Sequence, residues 1–438
     1  MNRSSVEFHA NLAADEVVLG ERERVAGAMR AFTREIGALS ALRLESCVHC
    51  GMCADACHFY IATEDPQYTP VLKVEPFKQA FKREAGAFAP FFRWFALKRR
   101  VTADELERWQ HLLFDSCNMC GRCSLICPMG IDVAELIEQA RRGLFEAGLA
   151  PKELYEKAAH QRRTGQPEAS SEPYRDRLLA IGRQFKVEMP LDKPQAEVML
   201  TVPRTDIEHY PAAVAALARV MAHLKADCTF RSDGLIAENY GYYAGGRDWQ
   251  REISLRLIDQ ALACKAKVLI VPECGHAYSA LRWEAAELIG KPLPFKVRHV
   301  TEFLAEALAD GRLKLRSADL GVTAFHDPCQ LVRKGGVTSA PRQLLHAMGV
   351  KPRETTRHVG FNVCCGGGGG VLDIERAAPL RYRVVEEKFH EIDGTGARTF
   401  LTSCSDCRRT FDDGKQRFNW QQTPRSLLEL VAEHLQGG

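Results

Sequence analysis

Two patterns of apolar and polar positions divide this chain. Residues 1–44 read as helical and mostly polar, and the stretch 31–44 runs into a first group of cysteines. From there to about residue 150, charged and aromatic helical sequence separates that group from a second. The segment TGQPEASSEP (164–173) has the glycine, prolines, serines and acids of a linker, which predicts a boundary at 165–190. Beyond it, apolar runs at 198–202, 268–271, 320–325 and 399–402 lack strict alternation, as strands covered on both faces do. Helical stretches at 210–225, 253–263 and 341–348 lie between or after them. The pattern predicts an α/β architecture with a mostly parallel sheet.

That second region reads as duplicated. One copy runs from 196 to 315 and ends in a helix at 300–309; the other runs from 316 to 438 and ends in a helix at 425–434. Cys274 follows the run 268–271 as Cys404 follows 399–402. The expected organisation is an N-terminal helical segment (1–40), a cysteine-bearing domain (41–165), a linker (166–195) and the two repeats.

Composition narrows the function classes. At 438 residues, 46% hydrophobic and 26% charged, the chain has room for two or three cores. A net charge of +3 is too mild to argue for nucleic acid. No apolar run approaches a membrane span: residues 87–97 are broken by Pro90 and Arg93, so any span belongs to another subunit. Residues 1–20 lack an apolar signal core, and the expected location is cytoplasmic, peripheral to the inner membrane face through a partner if at all. Thirteen of the 16 cysteines fall in tight groups or at motif spacings, which points to metal ligation rather than disulfides.

Cys47, Cys50, Cys53 and Cys57 form C-x2-C-x2-C-x3-C, and Cys117, Cys120, Cys123 and Cys127 repeat it, with Pro128 following. Three cysteines on a tight turn face one cubane while the fourth points to the other, the bacterial two-cluster arrangement. The implied sets are Cys47, Cys50, Cys53 with Cys127, and Cys117, Cys120, Cys123 with Cys57. Zinc is the rival, but its four-cysteine sites use two pairs rather than this run. His58 stands where a proline usually follows the fourth cysteine; its expected place is an exposed helix start, with tuning of the adjacent cluster as the alternative. The insert between the runs carries Phe88, Phe91, Phe92, Trp94 and Phe95 and then Lys98, Arg99 and Arg100. These aromatics are expected to pack on the cluster domain, the alternative being a partner-docking or membrane-surface helix.

A third group comprises Cys329, the adjacent pair Cys364-Cys365 with Gly366, and Cys404-x-x-Cys407. Adjacent side chains leave the backbone in different directions, which suits a cluster of several irons better than one tetrahedral ion. Glycines 366–370 permit close backbone approach; a nucleotide-phosphate loop is the lesser reading, since no Lys-Ser/Thr follows. Cys329 and Cys404 fall after strands, at the carboxyl edge where α/β sheets place ligands. The first repeat has lost the set: Asn239-Tyr240-Gly241-Tyr242-Tyr243 replaces the pair, Cys274-Gly275-His276-Ala277 replaces C-x-x-C, and nothing near 201–203 matches Cys329. A two-fold relation would place Glu273, Cys274, His276 and the tyrosines opposite the intact set, with Cys274 as a sulfur-handling thiol whose pKa His276 lowers or beside which it moves a proton, or else as a packing relic. Cys228 and Cys264 read as core, and His326 as a residue that fixes its loop by hydrogen bonding.

The phrases FHDPCQL, NVCCGGGGG and TSCSDC resemble the cysteine-rich domain of heterodisulfide reductases, and the two ferredoxin-type runs ahead of it resemble the fused iron–sulfur subunit of that family. CVHCGMCADACHFYIATEDPQYTP looks most like its sulfur-metabolism branch, including the iron–sulfur subunit of the dissimilatory sulfite reductase-associated membrane complex. The resemblance spans roughly residues 40–435. It implies a helical two-cluster ferredoxin-like domain followed by a duplicated α/β cysteine-rich domain, two cubane [4Fe-4S] clusters, and one noncubane [4Fe-4S] cluster on Cys329, Cys364, Cys365, Cys404 and Cys407. The implied activity is thiol/disulfide or sulfane-sulfur redox chemistry, with a disulfide, persulfide or thiol substrate, on a small thiol or a carrier protein. A membrane cytochrome b-type subunit or a flavoprotein would exchange the electrons. The iron–sulfur subunit of glycolate oxidase is similar in layout too, and there the role is electron relay.

Overall fold

The first helix, α1 (Glu21–Glu35), buries Ala28, Ala31 and Phe32 on one face. The other helices of this region used below are α2 (Pro70–Glu84), α3 (Ala89–Trp94), α4 (Ala103–Gln110) and α5 (Val133–Glu146). α1 lies along α5 because residue 143 is glycine: a Cβ there would stand 1.8 Å from Phe32 Cε1. Phe32 then meets Phe77 of α2 at 5.1 Å and the edge of Trp109 of α4 at 5.4 Å between ring centroids. These pairs anchor an all-helical core in which aromatic packing carries much of the buried area. The structure, a computed structural model, describes residues 20–84, 89–95, 101–168 and 172–437.

The chain forms two units. The first takes Met1–Ala159 with two later segments, Tyr240–Gln250 and Gly369–Val384; the second takes the rest. Tyr240, Tyr243, Ala244, Val371, Ile374 and Ala377 are buried in the helical core of the first unit. Its short helix α3 departs from expectation. Phe91, Trp94 and Phe95 are exposed, Trp94 at 83%. In a helix this short they meet each other, Phe91 tilted against Phe95 at 4.8 Å and 49°, instead of reaching the core. Phe88, the side chain of Phe92 and residues 98–100 lie outside the described residues.

The second unit carries two parallel sheets. The strands of the first are β1 (Val198–Leu200), β2 (Cys228–Phe230), β3 (Val268–Val271) and β4 (Lys296–His299), ordered β2-β1-β3-β4. The second holds β5 (Thr323–His326), β6 (Thr399–Thr402) and β7 (Pro424–Ser426), in that order. Arg353 bridges Ala324 in parallel on the outer side of β5, where the first sheet has β2, so both sheets share one order.

The helices match likewise. In chain order they are α6 (Arg204–His209), α7 (Pro211–His223), α8 (Gly275–Ser279), α9 (Val300–Ala309), α10 (Ala340–Ala347), α11 (Ser405–Phe418) and α12 (Leu427–Glu433). α9, closing the first repeat, packs on α10 of the second; α12, closing the second, packs on α7 of the first. α8 meets the turn Gln330–Lys334, and its counterpart α11 meets α6. Such reciprocal exchange is what a two-fold relation between repeats produces. The apolar core between them draws on both, including Leu217, Met221, Leu304, Leu344 and Leu430. The stretch read as linker holds a helix, Tyr174–Phe185, whose Tyr174, Leu178 and Ile181 enter that core.

Candidate functional site

Eight cysteines of the first unit gather as two sets of four. Cys47, Cys50, Cys53 and Cys127 line one cavity, and Cys57, Cys117, Cys120 and Cys123 line another. Each set thus takes its fourth member from the other run, because the residue before Pro128 and the residue before His58 both turn away from their own loops. Burial pushes the Cys53 thiol up to about 11. Cys123 is pushed well above its usual range by desolvation and then by the neighbouring Cys120, Cys117 and Cys57. Thiols crowded this way fit ligation, where iron takes up the thiolate charge.

Polar groups that the sequence did not mark out complete the second set. Lys73 is buried, donates to the Ser116 carbonyl, and its Nζ lies 3.6 Å from Cys57 Sγ. A buried ammonium against a cysteine sulfur suits an anionic group there. His58 is buried, not exposed: its Nε2 lies 2.5 Å from Asn118 Oδ1, and its ring lines the same cavity. Fully buried Arg141 donates to the carbonyls of Leu113 (3.0 Å), Cys117 (2.7 Å), Gly369 (2.7 Å) and Tyr243 (3.3 Å). One guanidinium therefore ties a cysteine loop to both returning segments of its unit.

A larger cavity of about 870 Å³ lies beside this second set, lined by Tyr68, Trp109, His111, Leu112, Asp115 and Arg376 among others. The Tyr68 carbonyl accepts from Cys57 Sγ at 3.4 Å, so one residue separates the cavity from a cysteine of the set. Asp115 takes His111 Nδ1 at 2.8 Å and Arg376 at 2.8 and 3.1 Å.

In the second unit, the third group converges. Cys329, Cys364, Cys365, Cys404 and Cys407 are all buried. Cys329 Sγ lies 3.6 Å from Cys364 Sγ, and the Gly366 N–H donates to Cys364 Sγ at 3.5 Å. Hydrogen bonds from Cys364 and Cys407 pull Cys365 down to about 6, while bonding to Cys365 and Cys404 pushes Cys407 well up. A ring nitrogen of His326 and the sulfurs of Cys365 and Cys407 lie within 4.8 Å of one another. Both His326 nitrogens are buried without a hydrogen-bond partner. Five converging sulfurs beside an orphaned imidazole fit a buried iron–sulfur cluster.

The loop-fixing role expected of His326 belongs to its neighbour. Asp327 accepts from Arg342 at 2.8 and 2.9 Å and from the Val359 N–H at 2.8 Å, and its carbonyl takes Asn362 Nδ2. Arg333 adds bonds to the Gly360 and Asn362 carbonyls at 3.1 and 2.8 Å. Together they lace down the approach to the cysteine pair. Gly367 lets that loop lie on α11, since a Cβ would stand 2.0 Å from Thr410 Oγ1.

The first repeat is filled differently. The N-terminus of α6, counterpart of the turn that begins at Cys329, donates its Arg204 N–H to Glu238 Oε1 at 2.8 Å. Thr205 donates to Asp406 Oδ1 at 2.7 Å. Asp206 is buried and pushed well up by desolvation and then by Glu273. Burial and Asp406 push Glu238 up to about 8, and burial pushes Glu273 up to about 7. Cys274 is raised, not lowered: burial, then Glu238, Asp406 and Cys404, push its thiol well above the usual range. His276 is buried on the first turn of α8. Tyr240, Tyr242 and Tyr243 belong to the first unit, where Tyr240 and Tyr243 meet edge-on at 5.4 Å. Cys228 and Cys264 are buried, as expected of core.

The chain is similar to known proteins in both regions. Residues 43–131 match the 4Fe-4S dicluster domain family, and residues 323–412 match the cysteine-rich domain family. The chain is 28% identical over 414 residues to one subunit of the dihydromethanophenazine:CoB–CoM heterodisulfide reductase of Methanosarcina barkeri, covering 92% of this chain and 97% of that one. It is 26% identical to the Hdr-like menaquinol oxidoreductase iron-sulfur subunit of Archaeoglobus profundus, over 83% of this chain and 74% of the relative. The EtfAB:quinone oxidoreductase of Syntrophomonas wolfei is 27% identical over 87% of this chain and 56% of its own length.

Proposed function

Because the chain is a heterodisulfide reductase-like iron–sulfur subunit, with a 4Fe-4S dicluster domain and a cysteine-rich domain, we propose that it performs thiol/disulfide or sulfane-sulfur redox chemistry at Cys329, Cys364, Cys365, Cys404 and Cys407. Those five residues would hold a noncubane [4Fe-4S] cluster, and the two sets of four would hold cubanes. When bound, the cubanes supply one-electron carriers and the noncubane cluster supplies iron open to a substrate sulfur. Cleaving one disulfide to two thiols consumes two electrons and two protons, so two carriers upstream match the stoichiometry. The direction follows from the potentials of substrate and partner.

One observation carries this reading: five cysteines far apart in the chain meet in one buried group, with Cys329 and Cys364 sulfurs 3.6 Å apart. Electrons would pass through the first unit from a membrane cytochrome b-type subunit or a flavoprotein. Among the described residues no helix is long and apolar enough to cross a membrane. The exposed Phe91, Trp94 and Phe95 and the cavity beside Cys57 are the features of that unit suited to meeting such a partner.

Anaerobic iron analysis should give about twelve irons per chain, against about eight without the third cluster. The decisive measurement is EPR of the oxidised protein titrated with small thiols. A thiol-dependent signal that disappears in Cys364→Ser is expected. Silence with every thiol, beside normal cubane signals, would replace this reading with that of an electron relay.

A further inference from the structure

His326 ends β5 and is 1% exposed, and neither ring nitrogen meets a hydrogen-bond partner. An imidazole carries one donor and one acceptor when neutral, and burying both unmade is costly. Its neighbours explain why it stays in place. Phe411 stands edge-on to the ring at 5.0 Å and 87°, and Phe400 lies at 6.3 Å, so two aromatics fix its plane. What its polar atoms face is sulfur: a ring nitrogen and the Cys365 and Cys407 sulfurs all lie within 4.8 Å. Asp327 is taken by Arg342, and Asn362 by Arg333.

We propose that His326 is a positioning residue of the five-cysteine site, donating a ring N–H to the thiolate of Cys365 or Cys407 and thereby setting the potential of the group those cysteines hold. This rests on the reading that the five cysteines carry a cluster. Cys364 already receives the Gly366 N–H at 3.5 Å. His326 supplies an equivalent donor for Cys365 or Cys407. With five thiolates present, a sixth ligand is not required, and the ring acts through sulfur. A hydrogen bond of this kind withdraws electron density from the thiolate, weakens its donation to iron and favours the reduced state.

The test compares anaerobically prepared holoprotein with His326→Phe, which keeps a ring but loses the N–H, and His326→Gln, which keeps a donor. EPR-monitored redox titration should show the third cluster of His326→Phe harder to reduce by about tenfold, a midpoint about 59 mV lower for one electron. His326→Gln should return most of that shift, and the cubane midpoints should not move in either variant. An unchanged third midpoint in His326→Phe, or a Gln variant no different from Phe, overturns the proposal. If His326→Phe does not retain its iron, the wild-type protein carries the test. An exchangeable proton coupled to the third cluster in ENDOR, lost in D2O and assigned to the ring by 15N-histidine labelling, supports the proposal. Absence of that proton, or the strong nitrogen coupling of a directly bound imidazole, overturns it. About eight irons in the wild type would remove the cluster itself, whereas about twelve with no midpoint shift would remove only the role of His326.

Discussion

The two repeats of the second unit share strand order and reciprocal helix packing, yet one gathers cysteines where the other gathers carboxylates. In the intact repeat, Cys404 caps α11 and turns toward Cys407 and Cys365. Its counterpart Cys274 caps α8 and faces Glu238 and Asp406. At the corresponding helix start of the first repeat, an amide that would otherwise be free is taken by Glu238. A cradle of strand ends and helix N-termini is therefore independent of what it holds: the same backbone gathers cysteine sulfurs in one copy and buried carboxyl groups in the other. Substitutions at matched positions should separate the two.

The largest contrast is expected between Cys404→Ser and its counterpart. Cys404→Ser should cost the third cluster, lowering iron from about twelve to about eight per chain and abolishing the thiol-dependent EPR signal. Retention of about twelve irons would detach the five-cysteine group from metal altogether.

Next comes the scaffold that only the intact repeat possesses. Asp327, with a side chain 1% exposed, pairs with Arg342 and caps the Val359 N–H. Asp327→Ala should destabilise the protein by about 3 kcal/mol in urea titration, the lower end for a broken buried pair, because Glu354 still holds Arg342 at 2.7 Å. It should also loosen the loop that leads to Cys364 and lower third-cluster occupancy. A change under about 0.5 kcal/mol would place the pair among surface bridges of little weight.

What could be read from the sequence, and what could not, follows the reach of each interaction. The eight cysteines of the first unit sit in short runs, so spacing alone divided them into the sets that line the two cavities. The runs 268–271 and 399–402 were legible as strands because they are covered on both faces. β2, β4 and β7 were not: Lys296 and Arg298 break the apolar run of β4, and β2 and β7 are edge strands, β7 beginning with a proline. Lys73 and Arg141 look like ordinary helix-surface cations, and only contacts to Ser116, Leu113 and Gly369 reveal them as buried. His58 was misplaced for the same reason, since Asn118 comes sixty positions later. In H-D-P-C, the pattern could not say which polar residue laces the loop and which faces sulfur. Aspartate, with two acceptor oxygens, took the amide and guanidinium donors.

In the emptied repeat, pH separates the copies. Glu238 moves from its ordinary 4.5 up to about 8, chiefly by burial. The folded protein therefore keeps a proton that the unfolded chain releases, so this residue makes stability fall as pH rises between those values. Glu238→Gln should flatten that fall by up to about 1.4 kcal/mol per pH unit, with little difference from wild type below pH 4.5. Glu273, pushed up to about 7 by burial, keeps a smaller fall of the same sign in the variant. Parallel profiles of wild type and variant across the window would show that Glu238 ionises freely in the fold.

The smallest effect should be that of Cys274→Ser, and it is the sharpest test of what the emptied copy still does. Its thiol is 3% exposed and pushed up by burial and by Glu238, Asp406 and Cys404, so at neutral pH it stays protonated and a poor nucleophile. Exchanging a buried thiol for a hydroxyl should cost about 1 kcal/mol of stability, with iron content and the thiol-dependent signal unchanged. Loss of that signal with full iron content would mean that Cys274 takes part in the sulfur chemistry despite its raised pKa. The emptied copy would then be the second wall of the active site, and the carboxyl groups around Cys274 its means of holding a proton beside a thiol.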